Sequence, residues 1–208
     1  MAAQAQQRNL WLASDQANAV ARGELVTVQE ARPGSPWPAV WVALFIAASP
    51  EEAAAVFTDY ESHVRTLPSI RQSTISRIVS PSVTEVDYTL EVPIATDEDY
   101  TVRNTVSRPG DGYLVEWVML RARSTKATVG HASFAPYRTA DGRSGTLLTY
   151  VNFVTPGSRL AAIPLVRNRA LARVRETARA IRAQVERERG DSALMQPRLA
   201  RLGRATDS

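Results

Sequence analysis

Between Ile70 and Val154 apolar and polar residues alternate along most of the chain, the period-two pattern of β-strands with one face on a core. The alternation predicts strands over Ile70–Val79, Thr84–Ile94, Tyr100–Val106, Tyr113–Arg121, Lys126–Tyr137 and Thr146–Val154. It is cleanest around Tyr88: Val86, Tyr88, Leu90, Val92 and Ile94 share one side, and Glu85, Asp87, Thr89 and Glu91 the other. Turn-forming clusters separate the strands, among them Ser80-Pro81-Ser82, Arg108-Pro109-Gly110-Asp111-Gly112 and Thr139–Gly145. Asp97, Glu98 and Asp99 fall in one such gap, where solvation accounts for three consecutive acids better than a metal does. Connections this short imply an antiparallel meander.

After the meander the period changes. From Ser158 to Arg189, apolar residues recur three or four apart at Leu160, Ile163, Val166, Ala170, Leu171, Val174, Ala178, Ile181 and Val185. Arginines cover the other side, so the stretch reads as one long amphipathic helix with Ser158 as a cap candidate and Gly190 as its stop. Pro164 either kinks this helix or marks its true first turn. Before the meander, a short helix is expected around Ser14–Arg22, then a strand over Leu25–Ala31 and an apolar strand over Val40–Ala47. Ser49-Pro50-Glu51-Glu52 opens a short helix with a serine cap, proline in the first turn and acids at the positive end of the helix dipole. A second helical piece is expected over Glu61–Thr66, before Leu67-Pro68. Residues 190–208 are polar and arginine-rich, with Pro197 and Gly203, and are expected to be a disordered tail.

With 208 residues, the chain has the length of a single domain. No apolar run reaches the ~18 residues of a membrane span. The net charge of +4 comes almost wholly from arginines scattered among carboxylates, which argues against a nucleic-acid surface. Without cysteine there is no disulfide, thiolate metal site or cysteine nucleophile. Ala2-Ala3-Gln4-Ala5 is like the small-residue stretch at a signal cleavage site, so the chain is expected to be periplasmic or secreted after loss of a signal peptide, and otherwise cytoplasmic.

The order strand, two short helices, six antiparallel strands and a long C-terminal helix resembles the START-like, or helix-grip, superfamily, which includes lipid carriers and polyketide cyclases. The resemblance is carried by Ala48-Ser49-Pro50-Glu51-Glu52 with Val56-Phe57-Thr58-Asp59-Tyr60, Leu67-Pro68, Gly130–Pro136, Gly145–Tyr150 and the closing helix. It implies an α+β helix-grip fold: a curved antiparallel sheet of about seven strands wrapped round the C-terminal helix, two short helices following the first strand. The expected division is an N-terminal extension over 1–24, the helix-grip domain over 25–189 and the tail over 190–208. The resemblance further implies a cavity between sheet and helix that takes a hydrophobic small molecule or lipid, with transient membrane contact as a further possibility. The alternative is a polyketide aromatase/cyclase-type enzyme acting in the same cavity. Ala161, Ala162, Ala170 and Ala178 on the helix stripe would leave room for a ligand. The expected lining is Phe57, Tyr60, Tyr88, Leu90, Tyr100, Asn104, Trp117, Met119, Phe134, Tyr150, Asn152, Ile163, Val166 and Leu171. Access is expected between the short helices and the start of the long one, near Val56, Phe57, Tyr60, Leu160, Ile163 and Pro164.

Candidate chemistry is sparse. Of the two histidines, His63 reads as an exposed helical residue in preference to a proton-active group at the cavity mouth. His131 points to solvent if Gly130, Ala132 and Phe134 face inward, a matter of one residue in register. The hydroxyls carry no nucleophile-elbow motif, and there is neither a metal-ligand spacing nor a phosphate loop, so no catalytic residue and no cofactor is expected. Asn104 and Asn152 instead interrupt apolar strand faces, as polar groups that orient a ligand do. For a cyclase, proton transfer would fall to Tyr88, Asn104 or His131.

Overall fold

The computed structural model describes residues 12–92, 97–157 and 163–206. Eight strands are found among them: β1 (Val26–Glu30), β2 (Ala39–Ile46), β3 (Ile70–Ser80), β4 (Val83–Leu90), β5 (Glu98–Ser107), β6 (Tyr113–Ala122), β7 (Ala127–Arg138) and β8 (Ser144–Thr155). They form one curved antiparallel sheet in the order β1-β2-β8-β7-β6-β5-β4-β3. The count is eight rather than the about seven that the resemblance implies because the strand expected over Leu25–Ala31 joins as an edge, β1 pairing with β2 from Val26↔Ala43 to Glu30↔Ala39. Register shifts in β3–β4 and at Thr101/Val102 mark the bulges that bend such a sheet.

The helices are α1 (Ser14–Ala21), α2 (Pro50–Phe57), a 3₁₀ turn (Tyr60–Ser62) running into α3 (His63–Thr66), α4 (Pro164–Glu188) and α5 (Ser192–Thr206). β2 and β3 lie near opposite ends of the strand order, so α2, the turn and α3 carry the chain between them. The start of α2 is fixed by a capping box: Ser49 Oγ accepts from Glu52 N at 3.2 Å, and the Glu52 carboxylate accepts from Ser49 N at 2.9 Å. Ala53, Ala54, Ala55, Val56 and Phe57 are all buried, the alanines letting the helix approach the sheet closely.

The long helix α4 begins at Pro164, six residues later than the Ser158 reading, with Ile163 as N-cap and Pro164 in its first turn. Proline is tolerated there because that N–H has no intrahelical partner. Leu160, Ala161, Ala162 and the proposed cap Ser158 lie outside the described residues, as does Ile94. Gly190, at φ 82°, ends the helix. Burial along α4 is graded: Ala178, Ile181 and Val185 are sealed, whereas Ile163 and Leu165 at its start are 44% and 57% exposed.

The expectation of a disordered tail is wrong. Residues 192–206 form α5, whose Met195, Leu202 and Ala205 enter the main core. Asp191 starts it by accepting from Ala193 N and Leu194 N at 3.0 and 3.2 Å. Arg198, 6% exposed, bridges Asp59 and Glu188, and Arg201 adds a second contact to Asp59 at 3.0 Å. The composition that read as disorder is one buried arginine, an apolar stripe and an arginine-covered outer face.

Glu98 also departs from expectation. It opens β5, is 5% exposed, and accepts from Ser124 N, Ser124 Oγ and Thr125 N at 2.8, 2.5 and 2.8 Å. Burial opposes its charge, but these donors outweigh it and hold the carboxyl below its ordinary value. The main core lies between the concave sheet face, α2, α4 and α5. A smaller one, of Val20, Val26, Ala43, Phe45 and Leu147, sits under α1 on the convex face.

Candidate functional site

Pairing across the meander lines up one transverse row on the concave face: Val40, Asn152, Gly130, Trp117, Asn104 and Thr84, one residue per strand from β2 to β4. Gly130 is required in it. A Cβ there would stand 2.5 Å from Trp117 Cζ2 and 2.2 Å from Val151 O, so the missing side chain is what lets the indole lie against β7. The asparagines therefore flank a flat aromatic floor, and the Tyr150 ring meets Trp117 at 5.2 Å between centroids.

One end of this floor is filled. The Phe57 ring, from the end of α2, sits 5.6 Å from Phe134, 6.3 Å from Trp117 and 5.6 Å from His63. Tyr60 meets His63 edge-on at 5.7 Å, His63 stacks on Tyr88 at 5.9 Å, and Tyr88 stacks on Tyr100 at 5.4 Å. Phe57 and Tyr60, expected at the entrance, are 6% and 4% exposed and belong to this filled end.

The reading of His63 as an exposed helical residue is corrected by the same cluster: it is 4% exposed. One ring nitrogen, Nε2, lies 2.9 Å from the Phe57 carbonyl, which can only accept, so Nε2 carries the proton. The other, Nδ1, lies 2.8 Å from Tyr88 Oη and accepts from it. Both bonds are made with a neutral ring. Burial lowers its pKa from 6.5 to about 4, the Phe57 carbonyl and Asp59 opposing only weakly. Burial likewise raises the phenols of Tyr60, Tyr88, Tyr100 and Tyr150 above their ordinary range, so all four are uncharged near neutrality.

The rest of the floor is less covered. Tyr100, Met119, Tyr150 and Asn152 are half-buried, and so are Val166, Leu171 and Val174 on α4. Leu171 and Val174 pack against the same core as Met119, Tyr100 and Tyr150. Leu90 at the end of β4 and Val166 on α4 are half-buried but outside that cluster, and Ile163 is exposed at the start of α4, so these three are not brought to the floor. Among the buried polar atoms with no hydrogen-bond partner among the described residues are Asn104 Nδ2, Asn152 Oδ1 and Tyr60 Oη on the concave side. Buried polar groups are nearly always paired. Unpaired ones on an apolar floor are where a ligand's polar group would be held.

His131 faces away from the floor, on the strand face opposite Ala132 and Phe134, but it is not solvated. Trp41 covers it at 6.1 Å and leaves it 6% exposed. The sequence reading missed His63, whose partners lie 6 and 25 residues away. It also missed the arginines of the β1–α4 cleft described below.

No protein-family model matches the chain, and no curated protein sequence does. Solved structures do match. A STAR-related lipid transfer protein from Xanthomonas axonopodis superposes with a TM-score of 0.67 at 16% identity, covering 77% of this chain and 93% of that one. Human STARD10 gives 0.64 at 11% identity, covering 83% and 74%. The di-domain ARO/CYC StfQ of the steffimycin biosynthetic pathway gives 0.55 at 17% identity, covering 73% and 51%. At these identities the likeness is one of architecture, and it agrees with the strand order, the helices between β2 and β3 and the closing helix: the chain has the START-like helix-grip fold.

Proposed function

We propose that the protein binds or carries a hydrophobic small molecule or lipid between the concave sheet face and the N-terminal half of α4. One observation carries this reading: an aromatic floor, half-covered away from its filled end, holds buried asparagine amide atoms without partners among the described residues, under the least tightly packed part of the long helix. The apolar floor supplies affinity, about 25 cal/mol per Å² of ligand surface removed from water, and the asparagines orient the ligand. The lipid-transfer names among the similar structures agree with this reading without carrying it.

The experiment is uptake of a dansyl fatty acid, followed by energy transfer from tryptophan, with mass spectrometry of organic extracts of the purified protein. Ala170→Trp places an indole on the α4 stripe one turn before Val174. It is expected to abolish uptake while shifting the melting temperature by no more than a few degrees. Undiminished uptake by the folded variant, or no uptake by the parent protein, would sink the proposal.

A polyketide aromatase/cyclase-type enzyme is the second reading. The buried phenols beside the floor are held protonated by burial, and His63 has both its nitrogens engaged in hydrogen bonds. A base with a pKa of about 4 is also poorly matched to proton abstraction near neutrality. These observations favour carriage over catalysis.

A further inference from the structure

A cleft of about 630 Å³ lies between the N-terminal half of α4 and the segment that follows β1. Its charge is one-sided. Arg32 comes from that segment and Arg167 and Arg175 from α4, and no carboxylate is in the wall among the described residues. Eight residues apart, just over two turns, Arg167 and Arg175 present their guanidinium groups to the same side of the helix. Neither has an acidic partner among the described residues. Arg32 lies over the Phe153 ring at 5.3 Å, and its Nη1 is buried with no hydrogen-bond acceptor among the described residues. A charged donor buried without an acceptor is costly, and an anion within its reach would remove that cost.

The cleft borders the concave core through Leu171. Leu171 lines it and packs against the core below, while Gln29, also in its wall, pairs with Val40, the neighbour of Asn152 in the transverse row. We infer that the cleft holds an anionic head, a phosphate or carboxylate, on an amphiphile whose apolar body lies on the aromatic floor. This rests on the binding function proposed above. The head group meets arginine forks suited to bidentate oxygen pairs, with Gln29 and Asn168 as neutral donors beside them.

The test compares three probes on the full chain at low ionic strength: a lysophosphatidic acid, the monoacylglycerol of the same chain length, and glycerol 3-phosphate. The lysophosphatidic acid is expected to bind on the order of tenfold more tightly than the monoacylglycerol, an advantage that added sodium chloride erodes. In the double variant Arg32→Gln/Arg175→Gln the ratio should fall to near one. The salt series on the unaltered chain keeps the test valid if that variant folds poorly. Equal affinities at low salt would overturn the head-group inference while leaving the floor as a binding site. Arginine-dependent binding of glycerol 3-phosphate with neither amphiphile bound would overturn the amphiphile and the floor together, leaving a free phosphate ester as the source of the anion. Failure of all three probes would overturn both readings.

Discussion

His63 shows how much one side chain can decide here. It joins the Phe57 carbonyl to the Tyr88 hydroxyl, and so ties the helical crossing to β4. The bond in which Nδ1 accepts from Tyr88 needs a neutral ring, and burial disfavours the charged one, which makes the joint sensitive to acid. The unfolded ring takes a proton near pH 6.5 and the folded one only near pH 4. Stability from this group is therefore complete above pH 6.5 and is lost as pH falls towards 4, with no further change below. The gap corresponds to about 3 kcal/mol. Carboxylates such as Glu98 also lose stabilisation in acid, so the measurement is a difference: urea unfolding of the protein and of His63→Gln from pH 8 to pH 4. The parent's advantage should shrink by about 3 kcal/mol over that interval. A constant difference would show that the histidine does not titrate with folding. None of this was legible in the sequence, because helical periodicity places His63 on a helix but cannot see Tyr88 arriving from another strand. Asn104 and Asn152 were legible, because strand alternation fixes which face a residue occupies.

Among the elements, the strands were readable and the C-terminal helices less so. Period two with short turns leaves little freedom in strand pairing, whereas a helix in a polar, arginine-rich segment shows itself only when its partners are known. Neither Pro197 nor Gly203 prevents α5, because its apolar stripe is paired with a core and Arg198 with two carboxylates. That pairing sets a second expectation. Asp59 and Glu188 have side chains only 14% and 12% exposed, so Arg198→Ala removes their shared buried cation, leaving Asp59 with Arg201 and Glu188 with Gln184, and should cost about 3 kcal/mol. Arg201 is half exposed, and Arg201→Ala should cost less than about 1 kcal/mol. Denaturant midpoints for the two variants decide the matter. Equal small losses would mean that α5 is held by its apolar stripe alone.

At the scale of the whole molecule, the fold divides into a sealed end and a loosely covered end. Phe57, Phe134, Trp117 and the C-terminal half of α4 fill the first; Met119, Tyr150 and Asn152 lie under the second. The sequence suggested an entrance at both Phe57 and Pro164, because each sits on an apolar segment at the rim of the expected cavity. Burial separates them. Phe57 contacts three rings and is core, so Phe57→Ala should cost about 3–5 kcal/mol. Pro164 is exposed in the first turn of α4, beside exposed Ile163 and Leu165. A segment with few buried contacts opens at lower free energy than the body of the fold. Hydrogen exchange should therefore show amides of Asn168–Leu171 opening well below the global unfolding energy, and those of Ile181–Val185 opening near it. Pro164→Ala relaxes the fixed φ at the start of this turn. It should change the uptake rate of a dansyl fatty acid severalfold while moving the denaturant midpoint little. The two halves of α4 exchanging together, or Pro164→Ala and Phe57→Ala both losing stability at unchanged uptake rate, would place the entrance elsewhere on the rim.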